Sequence, residues 1–159
     1  MAAFDNQLQR RIMGHFATGV TVVTTRRGEE MYGMTANAVC SLSLDPPLVL
    51  VCVDKRAQMH EHLQESRFFA VNMLTQEQEA LSQRFAMRGP KEWSDLAVST
   101  KVTGAPVFDG SLAWLDCRVA EVLPGGDHHI FTGEILDGAV GAGQPLLYYC
   151  GKYAGLEPR

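Results

Sequence analysis

Val20-Thr21-Val22-Val23-Thr24-Thr25, then Arg26-Arg27-Gly28-Glu29, then Met31-Tyr32-Gly33-Met34, is the stretch that decides the fold. Every residue of its first segment is β-branched, which suits a pleated strand and disfavours a helix. The charged, glycine-containing tetrapeptide reads as a turn, and the segment after it as the returning strand of a hairpin. Asp45-Pro46-Pro47 then breaks the chain before Leu48–Val53. That segment is apolar on both faces, which predicts a strand near the centre of a sheet.

Working outward, Phe68–Leu74 reads as a further strand. Ala113, Leu115, Cys117 and Val119 alternate with more polar neighbours, the mark of a half-buried strand. Pro124-Gly125-Gly126-Asp127 turns the chain, Ile130–Ala139 runs back, and Pro145–Tyr149 is a short last strand. Three short helices are expected. Asp5 caps the first, with Leu8 and Ile12 stacked on its buried side. The second follows Leu48–Val53 and carries Met59 and Leu63 on one side. The third is Gln76–Ala86, with Leu81 and Phe85 four apart. Residues 87–109 read as a long irregular stretch. Six or seven strands that mostly succeed one another without intervening helices argue against a doubly wound parallel sheet. They predict a mainly β protein, a closed antiparallel barrel with helices on its flank.

The chain has 159 residues, 46% hydrophobic and 20% charged, with a formal net charge of -4. That length suits one domain over residues 1–159. A mildly acidic chain lacks the basic footprint of a nucleic-acid binder. No apolar run approaches the length of a membrane span, and the first residues show no secretory pattern. The four cysteines form no C-x-x-C pair, and Cys52 and Cys117 lie in apolar stretches; this composition fits a reducing cytoplasm. Fingerprints of Rossmann, P-loop, nucleophile-elbow and zincin sites are absent.

Three segments carry chemistry. In Gly33–Pro47, the small polar residues Thr35, Asn37, Ser41 and Ser43 recur at near-alternate positions, so on an extended chain they share a face. Such a row suits the polar edge of a planar heteroaromatic ring, although Ser, Thr and Asn equally favour turns. Asp54-Lys55-Arg56-Ala57-Gln58-Met59 joins a strand to a helix; free amides, the helix dipole and two cations suit a phosphate, or simply a solvated turn. Arg84 is a further phosphate ligand or a favourable cation at a helix end. His128 and His129 follow the glycine turn. An idle turn histidine, a substrate contact and, a distant third, a metal ligand with His60 or His62 all remain open. His60 and His62 would point to different sides of their helix, and no metal site is assigned.

Taken together, these segments resemble the short flavin reductases of two-component monooxygenase systems, which share an FMN-binding split β-barrel. Phe16–Thr25 is similar to the family's opening strand, Gly33–Asn37 with Ser41-Leu42-Ser43 and Pro46-Pro47 to its flavin loop, Gly126-Asp127-His128 with Ile130 and Gly133 to its nicotinamide motif, and Pro145–Tyr149 with Gly151-Lys152-Tyr153 to its closing strand. The resemblance implies NADH- or NADPH-dependent reduction of FMN or FAD and delivery of reduced flavin to a monooxygenase. It also implies a cytoplasmic homodimer. Alternatives are a flavoprotein with a fixed flavin that reduces another acceptor, and a non-catalytic flavin-binding module. By position, Thr35, Ala36, Asn37, Ala38, Ser41 and Leu42 would line the isoalloxazine and ribityl chain. Arg56, Ala57 and Gln58 would approach the phosphate, and Arg84 with Phe85 would close that side. Many members have serine where this chain has Ala57. His128 would orient the nicotinamide, and His129 has no assigned role.

Overall fold

The computed structural model describes residues 3–157. The strands are β1 (Thr18–Gly19), β2 (Thr21–Arg27), β3 (Glu30–Ala36), β4 (Val39–Leu44), β5 (Pro47–Asp54), β6 (Phe68–Met73), β7 (Val98–Thr100), β8 (Pro106–Phe108), β9 (Ala113–Gly125), β10 (His128–Val140), β11 (Leu147–Tyr149) and β12 (Lys152–Ala154). The helices are α1 (Asn6–Gly14), α2 (Gln58–Ser66) and α3 (Glu79–Ala86), the last entered through a 3-10 turn at Gln76–Gln78. The expected hairpins form. β2 and β3 pair out to Arg27 and Glu30, and β9 and β10 out to Gly125 and His128. The tip of the second hairpin is Gly126-Asp127, where Gly126 takes a φ of +69°, a left-handed conformation that glycine adopts without penalty.

One seven-stranded antiparallel sheet, in the order β3-β2-β6-β9-β10-β5-β4, forms the body. Its two edges are consecutive in the chain: β3 and β4 are joined by Asn37-Ala38 alone, yet β3 pairs with β2 and β4 with β5. Met34 and Ala36 of β3 and Val39 of β4 all pack on one buried cluster that includes Val23, Val51, Val53, Phe69, Cys117 and Phe131. The sheet therefore rolls up around that core and stops short of pairing its own edges, a barrel split along β3/β4. Met59 and Leu63 of α2 join the same cluster and close one end. A second core, outside the barrel, gathers Val20, Val22, Leu74, Phe85, Phe108 and Leu146 beneath α3. Fully burying each such side chain stabilises the fold by about 1.5–3 kcal/mol.

Several expectations are corrected. α1 is capped by Asp5, whose Oδ1 accepts from the Gln7 amide at 2.8 Å, but it has no buried side: Leu8 and Ile12 are both exposed. β5 lies next to the edge strand β4, not at the centre; Val49, Val51 and Val53 are buried, while Leu48, Leu50 and Cys52 are only half-buried. In β9 the polar Asp116 is as buried as Cys117, because the segment 101–108 covers that face. Asp116 accepts there from the Thr103 amide (2.8 Å) and hydroxyl. The irregular stretch contains β7 and the buried β8. It is tied down by Asn72, whose Nδ2 donates to the Val22 carbonyl (3.1 Å) and whose Oδ1 accepts from the Phe108 amide (2.9 Å). Pro145–Tyr149 is not the last strand, since β12 follows it. The described residues contain no helix long and apolar enough to cross a membrane.

Candidate functional site

Two places on the barrel rim carry the residues singled out above. The first is the seam between β3 and β4. Asn37, Ala38, Ser41 and Leu42 are exposed there, and Thr35 and Ala36 half-buried. Thr35 does not face a ligand with its hydroxyl: Oγ1 donates to the Ser82 carbonyl of α3 at 2.6 Å. Nor do the polar residues share one face. Ser41 pairs with Val49 but Ser43 with Leu48, so a bulge at Leu42 reverses the alternation. Among the described residues, the Asn37 amide and the Ser41 hydroxyl form no side-chain hydrogen bond. Behind the seam, Gly33 leaves room for Phe85: a Cβ on Gly33 would sit 2.6 Å from that ring. Phe85 is itself buried in the second core, where it touches Trp93 and Phe108 edge-on or tilted. It backs β3 and offers no surface to a ligand.

The second place is the mouth of the barrel, where β5 ends, α2 begins and the β9–β10 turn arrives. Register sets His128 opposite Asp54 and His129 opposite Val53. The Lys55 amide donates to the Asp127 carbonyl (3.0 Å), and Lys55 Nζ to the Gly126 carbonyl (2.7 Å). Lys55 thus braces the turn and is not a free cation for phosphate. Arg56 lies against Asp54, with Nη2 on Oδ2 at 2.9 Å and its amide on Oδ1 at 2.8 Å, while its guanidinium stays largely exposed. These hydrogen bonds hold the Asp54 carboxyl well below the usual carboxylate range. Ala57 caps α2 without a side-chain hydrogen bond, so no side chain competes for the first-turn amides of Gln58 and Met59. His128 Nδ1 lies 2.7 Å from Asp127 Oδ1, a contact that lowers the Asp127 carboxyl.

The structure brings Arg56, Ala57, Gln58 and His128 to one rim. It does not bring Arg84 there: that guanidinium is bound two-pronged to Asp95 (2.7 and 2.8 Å) and anchors the 92–95 loop. A contact missed from sequence lies beside His128. His60 Nε2 and His129 Nδ1 are 2.6 Å apart with near-parallel rings, and His60 sets its edge on Phe131. Nothing in the sequence signals this pair, since its members are 69 residues apart. His62 leaves the opposite way to stack on Tyr32. The described residues hold no group of three or more potential metal ligands. A shallow cleft of about 390 Å³ lined by Arg27, Glu65, Ser66 and Phe68 lies at the far end of α2, where Arg27 is already paired with Glu65.

A planar heteroaromatic ring with a phosphate tail fits this arrangement. Unpartnered polar side chains on unpaired strand edges can meet the ring, and uncapped helix amides beside Arg56 can meet an anion. Burial, with Asp116 alongside, pushes the Cys117 thiol up to about 12, so that thiol is inert packing.

Known proteins are similar to this chain over nearly its whole length. The model of the flavin reductase like domain matches residues 13–157. Over 149 residues the chain is 40% identical to the reductase component of a 4-nitrophenol 4-monooxygenase/4-nitrocatechol 2-monooxygenase from Rhodococcus opacus, covering 94% of this chain and 80% of that one. It is 41% identical over 144 residues to an FMN reductase (NADH) of Agrobacterium fabrum, covering 91% and 82%. The NADH:FAD oxidoreductase of Streptomyces globisporus, solved in complex with NAD and FAD fragments, superposes with a TM-score of 0.91 at 37% identity, over 99% of this chain and 98% of that one.

Proposed function

The chain belongs to the flavin reductase like family, and from that premise we propose that it reduces FMN or FAD with NADH or NADPH and yields the reduced flavin to a monooxygenase component. Flavin reduction by a nicotinamide nucleotide is the activity its relatives share, and this chain is an oxidoreductase of that kind. The observation that carries the residue-level reading is the register of β5 on β10. It sets His128 opposite Asp54, so the turn suited to a phosphate and the histidine assigned to nicotinamide occupy one rim.

On this reading Ala36, Asn37, Ala38, Ser41 and Leu42 border the ring along the seam. Thr35 holds the seam against α3 through Ser82. Arg56 and the first-turn amides of Gln58 and Met59 face the phosphate, Ala57 leaves that turn uncapped while its own amide is held by the Asp54 carbonyl at 3.0 Å, and His128 orients the nicotinamide. Arg84 acts from outside the rim, through the loop it anchors on Asp95. Held by these residues, a flavin would supply the electron sink for a hydride from the nicotinamide. The chain's own task is to stack two rings at near-contact distance and keep their polar edges hydrogen-bonded, which calls for no general base.

We also assign the whole chain to one domain acting as a cytoplasmic homodimer. Four cysteines free of disulfides suit that compartment. β4 exposes Leu42 and Leu44, and β5 leaves Leu48 and Leu50 half covered, an apolar surface beside the seam that a second copy would bury. Nicotinamide oxidation followed by absorbance, with FMN, FAD or no flavin added, tests the activity. Many turnovers of added free flavin are expected. A yellow protein that oxidises no nicotinamide would be a binding module, and turnover only with another acceptor would mean a fixed flavin. Sedimentation should give twice 17.5 kDa; a stable monomer that binds flavin would overturn the dimer.

A further inference from the structure

The His60–His129 pair is absorbed by none of the roles above. Its Nε2···Nδ1 separation of 2.6 Å is that of a direct hydrogen bond between rings. One ring must donate and the other accept, so two neutral imidazoles share this contact comfortably. Two outward nitrogens remain, His60 Nδ1 and His129 Nε2. In the neutral pair one of these carries a proton and the other a lone pair. Adding one proton to that lone pair leaves the shared bond intact and turns both outward nitrogens into donors with a single positive charge. His60 lies in the first turn of α2, two residues past Gln58, and His129 lies on β10 opposite Val53, next to the strand end that leads into that helix.

We propose that the His60–His129 pair takes up one proton when the phosphate of a flavin nucleotide binds at the start of α2, so that phosphate and proton bind together. This rests on the placement of the phosphate proposed above. At rest the surroundings of His60 disfavour its charged form. Burial of His60, with His129 and Lys55 nearby, lowers its affinity for a proton, and Asp54 opposes them only in part. The other charged groups around the pair are engaged or close to balanced. Arg56 is on Asp54, Lys55 on the Gly126 carbonyl and His128 on Asp127, while Glu61 follows on α2 and Phe131 brings no charge. A phosphate carrying close to two negative charges at pH 7 is the one new charge able to tip the pair. The sign follows from linkage. A group whose proton affinity rises on binding strengthens binding most at low pH, and that gain fades as pH climbs through its value in the complex.

Titration calorimetry with FMN near neutral pH, in buffers of differing ionisation enthalpy, tests this, with riboflavin as the probe that lacks the phosphate. Wild type should take up a fraction of a proton approaching one with FMN and none with riboflavin. Its FMN affinity should fall with rising pH by up to about tenfold per unit, the slope of one linked proton. His129→Gln and His60→Gln keep a hydrogen-bonding side chain without a titrating ring, and both should abolish the uptake. Either variant also serves as the reference for the ionisation of the FMN phosphate itself. Uptake equal in wild type and variants, or equal with FMN and riboflavin, overturns the proposal. If FMN binds no tighter than riboflavin, the phosphate placement fails instead, and the two failures are distinct.

Discussion

The seam and the mouth lie on the same barrel and are built on opposite plans. At the mouth nearly every charged or ring group already has a partner: Arg56 on Asp54, Lys55 on Gly126, His128 on Asp127, His60 on His129. At the seam Asn37 and Ser41 have none, and two strand edges stay unpaired. A prepaid hydrogen bond is exchanged on binding, whereas an open one is added. The seam is thus suited to holding a ring by direct hydrogen bonds at little cost to the fold. The mouth is suited to responding to charge, because an incoming anion redistributes protons and pairings that are already there.

The largest effect that would break this contrast lies behind the seam. Phe85→Ala removes the ring on which Gly33 rests, and a buried Phe→Ala typically costs about 3–5 kcal/mol. Denaturant unfolding should show that loss, and flavin binding should weaken because β3 loses its support. A fully stable variant would mean that the second core does not back the seam. Next comes His128→Ala. Losing one hydrogen bond worth about 0.5–3 kcal/mol should raise the nicotinamide KM by roughly threefold to a hundredfold, with flavin affinity nearly unchanged. An unchanged kcat assigns His128 to binding alone, and a lower one adds hydride orientation. Abolished flavin binding would erase the division between the two places. Asn37→Ala should have the smallest effect, weakening flavin binding by about threefold to tenfold for a bond worth roughly 0.5–1.5 kcal/mol. Fluorescence titration measures it, and melting should barely move because the side chain is exposed.

What was legible in the sequence follows from how far each signal reaches along the chain. The β-branched run of β2, the Gly28 turn and the Gly126-Asp127 turn are local, and each formed where expected. Leu8 and Ile12 are exposed, since four-residue spacing says only that two side chains share a face, not that anything covers it. β5 lies one strand from the edge, since apolar residues on both faces report coverage, not sheet order. The bulge at Leu42 replaced a strict alternation, and the second, outer core drew in Phe85. The pairing of His60 with His129 and that of Thr35 with Ser82 depend on a fold that brings distant segments together, so no spacing rule announces them.

The split also bears on how the chain comes to fold. β3 and β4 are neighbours in sequence but lie at opposite ends of the sheet order, so they cannot zip as a hairpin. Each must first dock through distant strands: β5 on β10, which joins Asp54 to His128, and β6 on β9, which joins Phe68 to Arg118. Closing such long loops costs chain entropy before any contact repays it, and proteins dominated by non-local pairing fold in about milliseconds to seconds. The binding groove is therefore expected to be among the last features to appear, present only once the whole sheet has rolled. A stopped-flow refolding trace complete within microseconds would contradict that order of events.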